Sequence, residues 1–236
     1  MGGKEKMTRF GIDCTEPPSA FQASRLAKAG YTFCCVYVGG PFASAGRHGW
    51  PNAAVAAIAP FFTDGFVPLY VGQQHIPGVP RQDTGIMTYE QGKKDGLEAD
   101  DLTGACGFDA TTPLGLDLEA GNYPANPNGV REYVAGWVES VNGAGHPAGL
   151  YTDTSTIAHL GSPDLIDWTF GAAWHYTVTQ FLAKYPDPQS AAAAVDPASP
   201  PPWTMWQFAS GGTLAGVDVD LDSAVDSFVM ARYTAP

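Results

Sequence analysis

Two acids, Asp117 and Glu119, stand two residues apart in the run Pro113-Leu114-Gly115-Leu116-Asp117-Leu118-Glu119. Alternation with a period of two puts Leu114, Leu116 and Leu118 on one face of an expected strand and both carboxylates on the other. Same-face neighbours along a strand are about 7 Å apart, near enough for each charge to be felt by the other. Apolar surroundings and a like charge both disfavour ionisation, so at least one of the two is expected to hold its proton above the usual carboxylate range. A proton-holding acid beside an ionised carboxylate is the pairing that glycosidic bond cleavage requires. Two acids in a solvated turn would look the same in isolation. What separates the two readings is the chemistry at equivalent positions along the rest of the chain.

Eight stretches have strand character: 9–14, 31–38, 66–71, 113–121, 147–152, 170–176, 203–208 and 216–221. Between them lie helical or loop-plus-helix segments, among them 52–63, 87–105 and 128–142. The helix before Gly30 ends at a glycine placed as a C-cap favours, and 222–232 is expected to close the chain as a helix. This alternation predicts a single α/β domain, a (β/α)8 TIM-type barrel of parallel strands with outer helices. A doubly wound open sheet is the competing arrangement. The barrel domain is expected over 9–236, after an N-terminal tail of 1–8, with 187–202 as a surface excursion.

In a parallel barrel every strand ends on one face, and chemistry sits there. Those ends would carry Asp13, Tyr37, Tyr70, the Asp117–Glu119 pair, Tyr151 with Asp153, Trp174, Gln207 after Trp206, and Asp218 with Asp220. Acids and aromatic rings so assembled form an inventory suited to carbohydrate, whose rings present apolar C–H faces and whose hydroxyls seek carboxylates and amides. Other chemistries fit less well. Asp218, Asp220 and Asp222 offer hard oxygen ligands, yet no histidine pair or Asp-x-Asp-Gly loop accompanies them, so no metal and no cofactor is expected. A Gly-x-Ser-x-Gly elbow, a Gly-Lys phosphate loop and a dinucleotide fingerprint are all missing from the sequence.

Acids outnumber bases 24 to 12, for a formal charge of -12. That balance excludes a phosphate-tracking nucleic-acid binder, which needs a basic stripe. No run is long and apolar enough to span a membrane, and no apolar segment of signal-peptide type follows the polar first nine residues. An extracellular, wall-associated or phage-virion location is expected, either by a route other than such a signal or with this segment cut from a longer precursor. Cys14, Cys34, Cys35 and Cys106 have no metal or redox spacing, and buried free thiols are expected.

Several short motifs, in order, carry a resemblance: Gly11-Ile12-Asp13, Leu116-Asp117-Leu118-Glu119, Trp206-Gln207-Phe208-Ala209-Ser210 and Gly216-Val217-Asp218-Val219-Asp220. Together they resemble the glycoside hydrolase family 25 lysozymes. With Tyr70-Val71-Gly72-Gln73-Gln74 and Asp95-Gly96-Leu97-Glu98-Ala99, the chain is more similar to their relatives, the glycoside-hydrolase-like domains of high-GC bacteria and their phages. The resemblance runs from about Thr8 to Val229. It implies a barrel and a peptidoglycan-directed glycosidase, with Glu119 as general acid, Asp117 as partner carboxylate, and Asp13 and Asp220 as flanking acids. Tyr37, Tyr70, Tyr151, Asp153, Trp174, Gln207 and Asp218 are the candidates for holding a cell wall polysaccharide. Two functional classes follow: a lysozyme-like hydrolase, or a non-catalytic carbohydrate-binding or structural module with virion or wall partners.

Overall fold

In the computed structural model, which describes residues 7–44, 48–74, 85–118, 127–153, 156–157, 160, 166–191 and 203–234, eight strands close into one barrel in chain order. They are β1 (Met7–Asp13), β2 (Phe33–Gly39), β3 (Gly65–Val71), β4 (Leu114–Asp117), β5 (Ala148–Asp153), β6 (Trp168–Thr177), β7 (Met205–Leu214) and β8 (Val217–Val225). Outside them lie α1 (Ala20–Lys28), α2 (Asn52–Ile58), α3 (Tyr89–Ala105), α4 (Pro127–Ala144), α5 (Val178–Lys184) and the short α6 (Pro188–Ala191). The expected TIM-type barrel with outer helices is therefore the fold. β1 to β7 are parallel to their neighbours in that series.

β8 departs from the expectation of parallel strands, because it runs antiparallel to both β1 and β7. The cause is local. Leu214 pairs with Val217 across Ala215 and Gly216, whose φ values of 55° and 84° make a two-residue turn of the left-handed kind that suits a hairpin. A strand that returns through a hairpin needs no crossover helix. The helix expected over 222–232 is correspondingly absent. β8 continues through Val225, and Ala231 then forms an antiparallel bridge to Phe66, donating and accepting at 2.9 Å.

The barrel interior is filled by pairing large rings with glycines. A Cβ on Gly11 would stand 2.3 Å from the Phe33 ring. Trp168 needs the same room, since a Cβ on Gly149 would approach it to 2.0 Å and one on Gly115 to 2.8 Å. The Phe228 ring lies against Trp168, tilted by 43° with ring centroids 5.0 Å apart. The lower half of the barrel is thus packed solid, which leaves the polar residues to the C-terminal ends of β1 to β7. Two glycines also let α3 and α4 pack in close contact: a Cβ on Gly92 would lie 2.1 Å from the Tyr133 carbonyl, and one on Gly136 2.1 Å from that of Tyr89.

Capping places two helices against the β7–β8 hairpin. Ser19 and Gln22 form a reciprocal capping box at the start of α1, and the Gln22 amide also donates to the Gly216 carbonyl at 2.7 Å. Thr177 and Gln180 cap α5 in the same way. The four cysteines are buried and free, as their spacing predicts. No described helix is long and apolar enough to cross a membrane.

Candidate active site

At the upper end of the barrel, residues of one parity face inward from several strands. Asp13 closes β1 opposite Asp220 of β8, and Asp117 closes β4 between Val71 of β3 and Tyr151 of β5. Asp13 and Asp117 are 4 % and 3 % exposed, unusual burial for carboxylates and tolerable only where polar partners replace water. For Asp13 those partners are clear. Its Oδ1 accepts from the Tyr37 hydroxyl at 3.3 Å, and its Oδ2 accepts from Gln207 Nε2 at 2.7 Å.

Gln207 is the hub of the cluster. Its Nε2 also donates to Asp220 Oδ2 at 3.2 Å, while its Oε1 accepts from the Tyr151 hydroxyl at 2.9 Å. The amide therefore has one consistent orientation, with the N–H groups toward the acids and the oxygen toward the phenol. Asp220 Oδ1 takes a further 2.6 Å bond from the Gly211 N–H, presented by a backbone with φ 61° where the β7–β8 pairing slips. Burial pushes the Asp220 carboxyl up from the usual range, and the Gly211 bond opposes that. Loss of water together with the nearby Asp13 and Asp117 charges holds the Tyr37 phenol well above its ordinary value, so it stays a neutral donor.

The sequence candidates divide in their placement. Asp13, Tyr37, Asp117, Tyr151, Gln207 and Asp220 gather at the upper end of the barrel. Asp218 lies two residues beyond Asp220 on the same side of β8, exposed on the projecting hairpin and accepting from the Thr213 hydroxyl at 2.7 Å. Asp153, half-buried at the end of β5, caps the next helical turn, accepting from the Thr156 N–H at 3.1 Å and from its hydroxyl at 2.5 Å. Tyr70 is not brought to the cluster. It has the opposite parity to Leu69 and Val71, and its hydroxyl donates to Glu98 of α3 at 2.8 Å, in the layer between barrel and helix. Glu119 lies outside the described residues, directly after Leu118, whose N–H still donates to the Tyr151 carbonyl at 3.0 Å. Trp174 belongs to β6, but its side chain is outside what is described.

Two sets of residues were not counted among the site candidates, Asp222 having been weighed only as a metal ligand and set aside. Asp222 sits one inward step below Asp220, opposite Gly11, with its Oδ2 accepting from the Cys35 thiol at 3.8 Å. The alternation of Asp218, Asp220 and Asp222 was a visible signal, masked by assigning Asp222 to a helix. The second set supports the rim from behind. Asp95 of α3 accepts from Gln73 Nε2 at 2.9 Å, the Tyr133 hydroxyl at 2.7 Å and Gln91 Nε2 at 2.7 Å. Gln74, next in the chain and fully buried, donates from Nε2 to the Asp117 carbonyl at 3.1 Å. The motifs around Tyr70 and Asp95 are thus two halves of one network that fixes the backbone at Asp117. Among the described residues no group of three or more His, Cys, Asp or Glu side chains is arranged to hold a metal ion.

Comparison with known proteins gives a consistent outcome. Residues 24–221 match the family model described as Rv2525c-like, glycoside hydrolase-like domain. No curated protein matches the chain. Among solved structures, the Tat-secreted protein Rv2525c of Mycobacterium tuberculosis superposes with a TM-score of 0.67 at 14% identity, over 94% of this chain and 98% of that one. The Clostridium perfringens spore cortex lytic enzyme SleM gives 0.60 at 16% identity, over 97% of this chain and 69% of its own. The modular autolysin LytC of Streptococcus pneumoniae gives 0.58 at 13% identity, and there the match spans 94% of this chain but 47% of LytC. At such identities the structural likeness is one of fold.

Proposed function

The chain belongs to the Rv2525c-like, glycoside hydrolase-like domain family, and on that premise we propose that it is a glycoside hydrolase cleaving the glycan of bacterial cell walls. The observation that carries this reading is the buried carboxylate cluster at the barrel's upper end, in which Gln207 bonds both Asp13 and Asp220 while Asp117 ends the strand leading to Glu119. Two neighbours of the same fold are described as a spore cortex lytic enzyme and an autolysin, which supports a wall glycan as the substrate class.

In this reading Glu119 protonates the departing glycosidic oxygen, and Asp117 is the ionised carboxylate that meets the positive charge developing on the sugar. Asp13 and Asp220 add negative potential to the same end of the barrel. Because Tyr37 and Gln207 donate to those acids and Tyr151 donates to Gln207, their part is to hold carboxylate geometry. Sugar contacts fall instead to Asp218 and Asp153, with Trp174 of β6 as the aromatic candidate.

The test is release of new reducing ends from purified wall glycan across mildly acidic to neutral pH. Glu119→Gln keeps side-chain volume and removes the acid, and one general acid is worth roughly 10²–10⁴-fold in turnover. A fall of that order with an unchanged unfolding transition is the expected result. Undiminished turnover in Glu119→Gln would remove Glu119 from the mechanism. Saturable binding with no reducing ends at any pH would make the protein a wall-glycan-binding module instead.

A further inference from the structure

Asp222 is the one acid of the cluster that the proposed chemistry leaves idle. It is fully buried in the barrel, one inward step below the Asp13–Asp220 pair. Among the described residues, the groups whose charge or bonds act most on it can be named by strand. Asp13 and, just beyond the strand end, Cys14 come from β1; Cys35 comes from β2, and Asp220 from β8 itself. Gln207, opposite Asp222 on β7, is neutral and turns its amide up to Asp13 and Asp220. On β1, two residues below Gly11, stands the cation Arg9. Its guanidinium donates to the carbonyls of Val225 and Phe228 at the barrel floor, and its Nε finds no partner among the described residues.

The only hydrogen-bond donor given to Asp222 by these neighbours is the Cys35 thiol, a weak donor at 3.8 Å to Oδ2. Its Oδ1 is sealed from solvent with no partner among the described residues. An ionised carboxylate so placed would face two further acids with one weak donor, at a cost of several kcal/mol for uncompensated burial. A protonated carboxyl avoids that cost and supplies a donor of its own.

We propose that Asp222 is a positioning residue that carries a proton through neutral pH, so that the stack formed with Asp13 and Asp220 holds two negative charges at most. By staying neutral it lets the two acids above remain ionised and bonded to Gln207, and it fixes the electrostatics of the barrel's upper end from beneath. Burial and the Asp13 and Asp220 charges all push its carboxyl well above the usual range, in the direction the geometry requires. This holds whether or not the protein cleaves sugar.

The test compares the wild type with Asp222→Asn, which mimics the neutral acid in size and polarity. A group whose pKa is raised by folding stabilises fully below its unfolded value, about 3.9 for Asp, and loses that contribution as pH rises. The folding equilibrium constant of the wild type should therefore fall, relative to Asp222→Asn, by about tenfold per pH unit above roughly pH 4. Infrared difference spectra read the proton directly. The wild type at neutral pH should show the carbonyl stretch of a protonated carboxylic acid, retained in Asp220→Asn and lost in Asp222→Asn. Retention of the band in both Asp220→Asn and Glu119→Gln assigns it to neither of those acids, and its absence from either one decides against Asp222, even if Asp222→Asn does not fold. A pH-independent stability ratio, or no such band at neutral pH, would overturn the proposal and leave Asp222 ionised.

Discussion

Gln207→Glu swaps an amide for a carboxylate of nearly the same shape and tests whether the hub donates to ionised acids. The residue is 1 % exposed, and its Nε2 lies 2.7 Å from Asp13 Oδ2 and 3.2 Å from Asp220 Oδ2. A charged oxygen in place of Nε2 would meet each acid with a repulsion of about 5 kcal/mol at an effective dielectric near 20. Holding a proton on the new glutamate at pH 7, against a free value of about 4.3, costs about 3.7 kcal/mol. Protonation is the cheaper response, so the introduced side chain should be neutral and the fold kept. The variant's raised carboxyl pKa gives the sign: the penalty is nearly absent around pH 4 and grows as pH rises. Urea unfolding should therefore find a loss about 3 kcal/mol larger at pH 7 than near pH 4.5, beyond a pH-independent loss of about 1 kcal/mol for the second donor that a carboxyl lacks. An equal loss at both pH values would refute the reasoning, because it would mean that the amide does not face ionised carboxylates.

Asp95→Ala removes the acceptor for three side-chain donors, so urea unfolding should show a loss of about 3–5 kcal/mol, and Asp95→Asn a smaller one. Gly149→Ala drives a methyl into Trp168 and should cost about 1–3 kcal/mol in the same measurement, with the cluster above left in place. Tyr70→Phe loses one bond to Glu98 behind the barrel wall; it should cost about 1 kcal/mol and leave the release of reducing ends unchanged.

The strand pattern was legible because inward and outward residues alternate. β1, β2, β3 and β5 fall within a few residues of the spans that alternation predicts. Direction was not legible in the same way, since the pattern of a strand reads alike from either end. Ala215-Gly216 between Leu214 and Val217 was the available sign of a hairpin, but an alanine at positive φ is not a residue that announces one. Tyr70 is placed away from the carboxylate cluster for a related reason. It lies next to the inward positions of β3, and one step of parity moves a side chain from the cavity to the helix layer. The Asp95 network could not be inferred at all, because its members come from a strand end and two helices joined only by packing.

The reversal of β8 explains why the site is assembled despite the mistaken direction. In a parallel strand the acids would have had to sit at the C-terminal end to reach the upper face. In β8 the N-terminal half lies there, and Asp218, Asp220 and Asp222 descend from the hairpin into the barrel in steps of two. One strand therefore carries an exposed, a half-buried and a fully buried carboxylate in sequence. Each step inward removes water and raises the cost of charge. The same residue type is thereby graded from a solvent-facing acceptor, through an acid bonded by Gln207 and Gly211, to one that keeps its proton. A parallel β8 would reverse that order along the chain and put Asp218, not Asp222, deepest. The antiparallel return is thus what decides which of the three acids is available for chemistry at the rim.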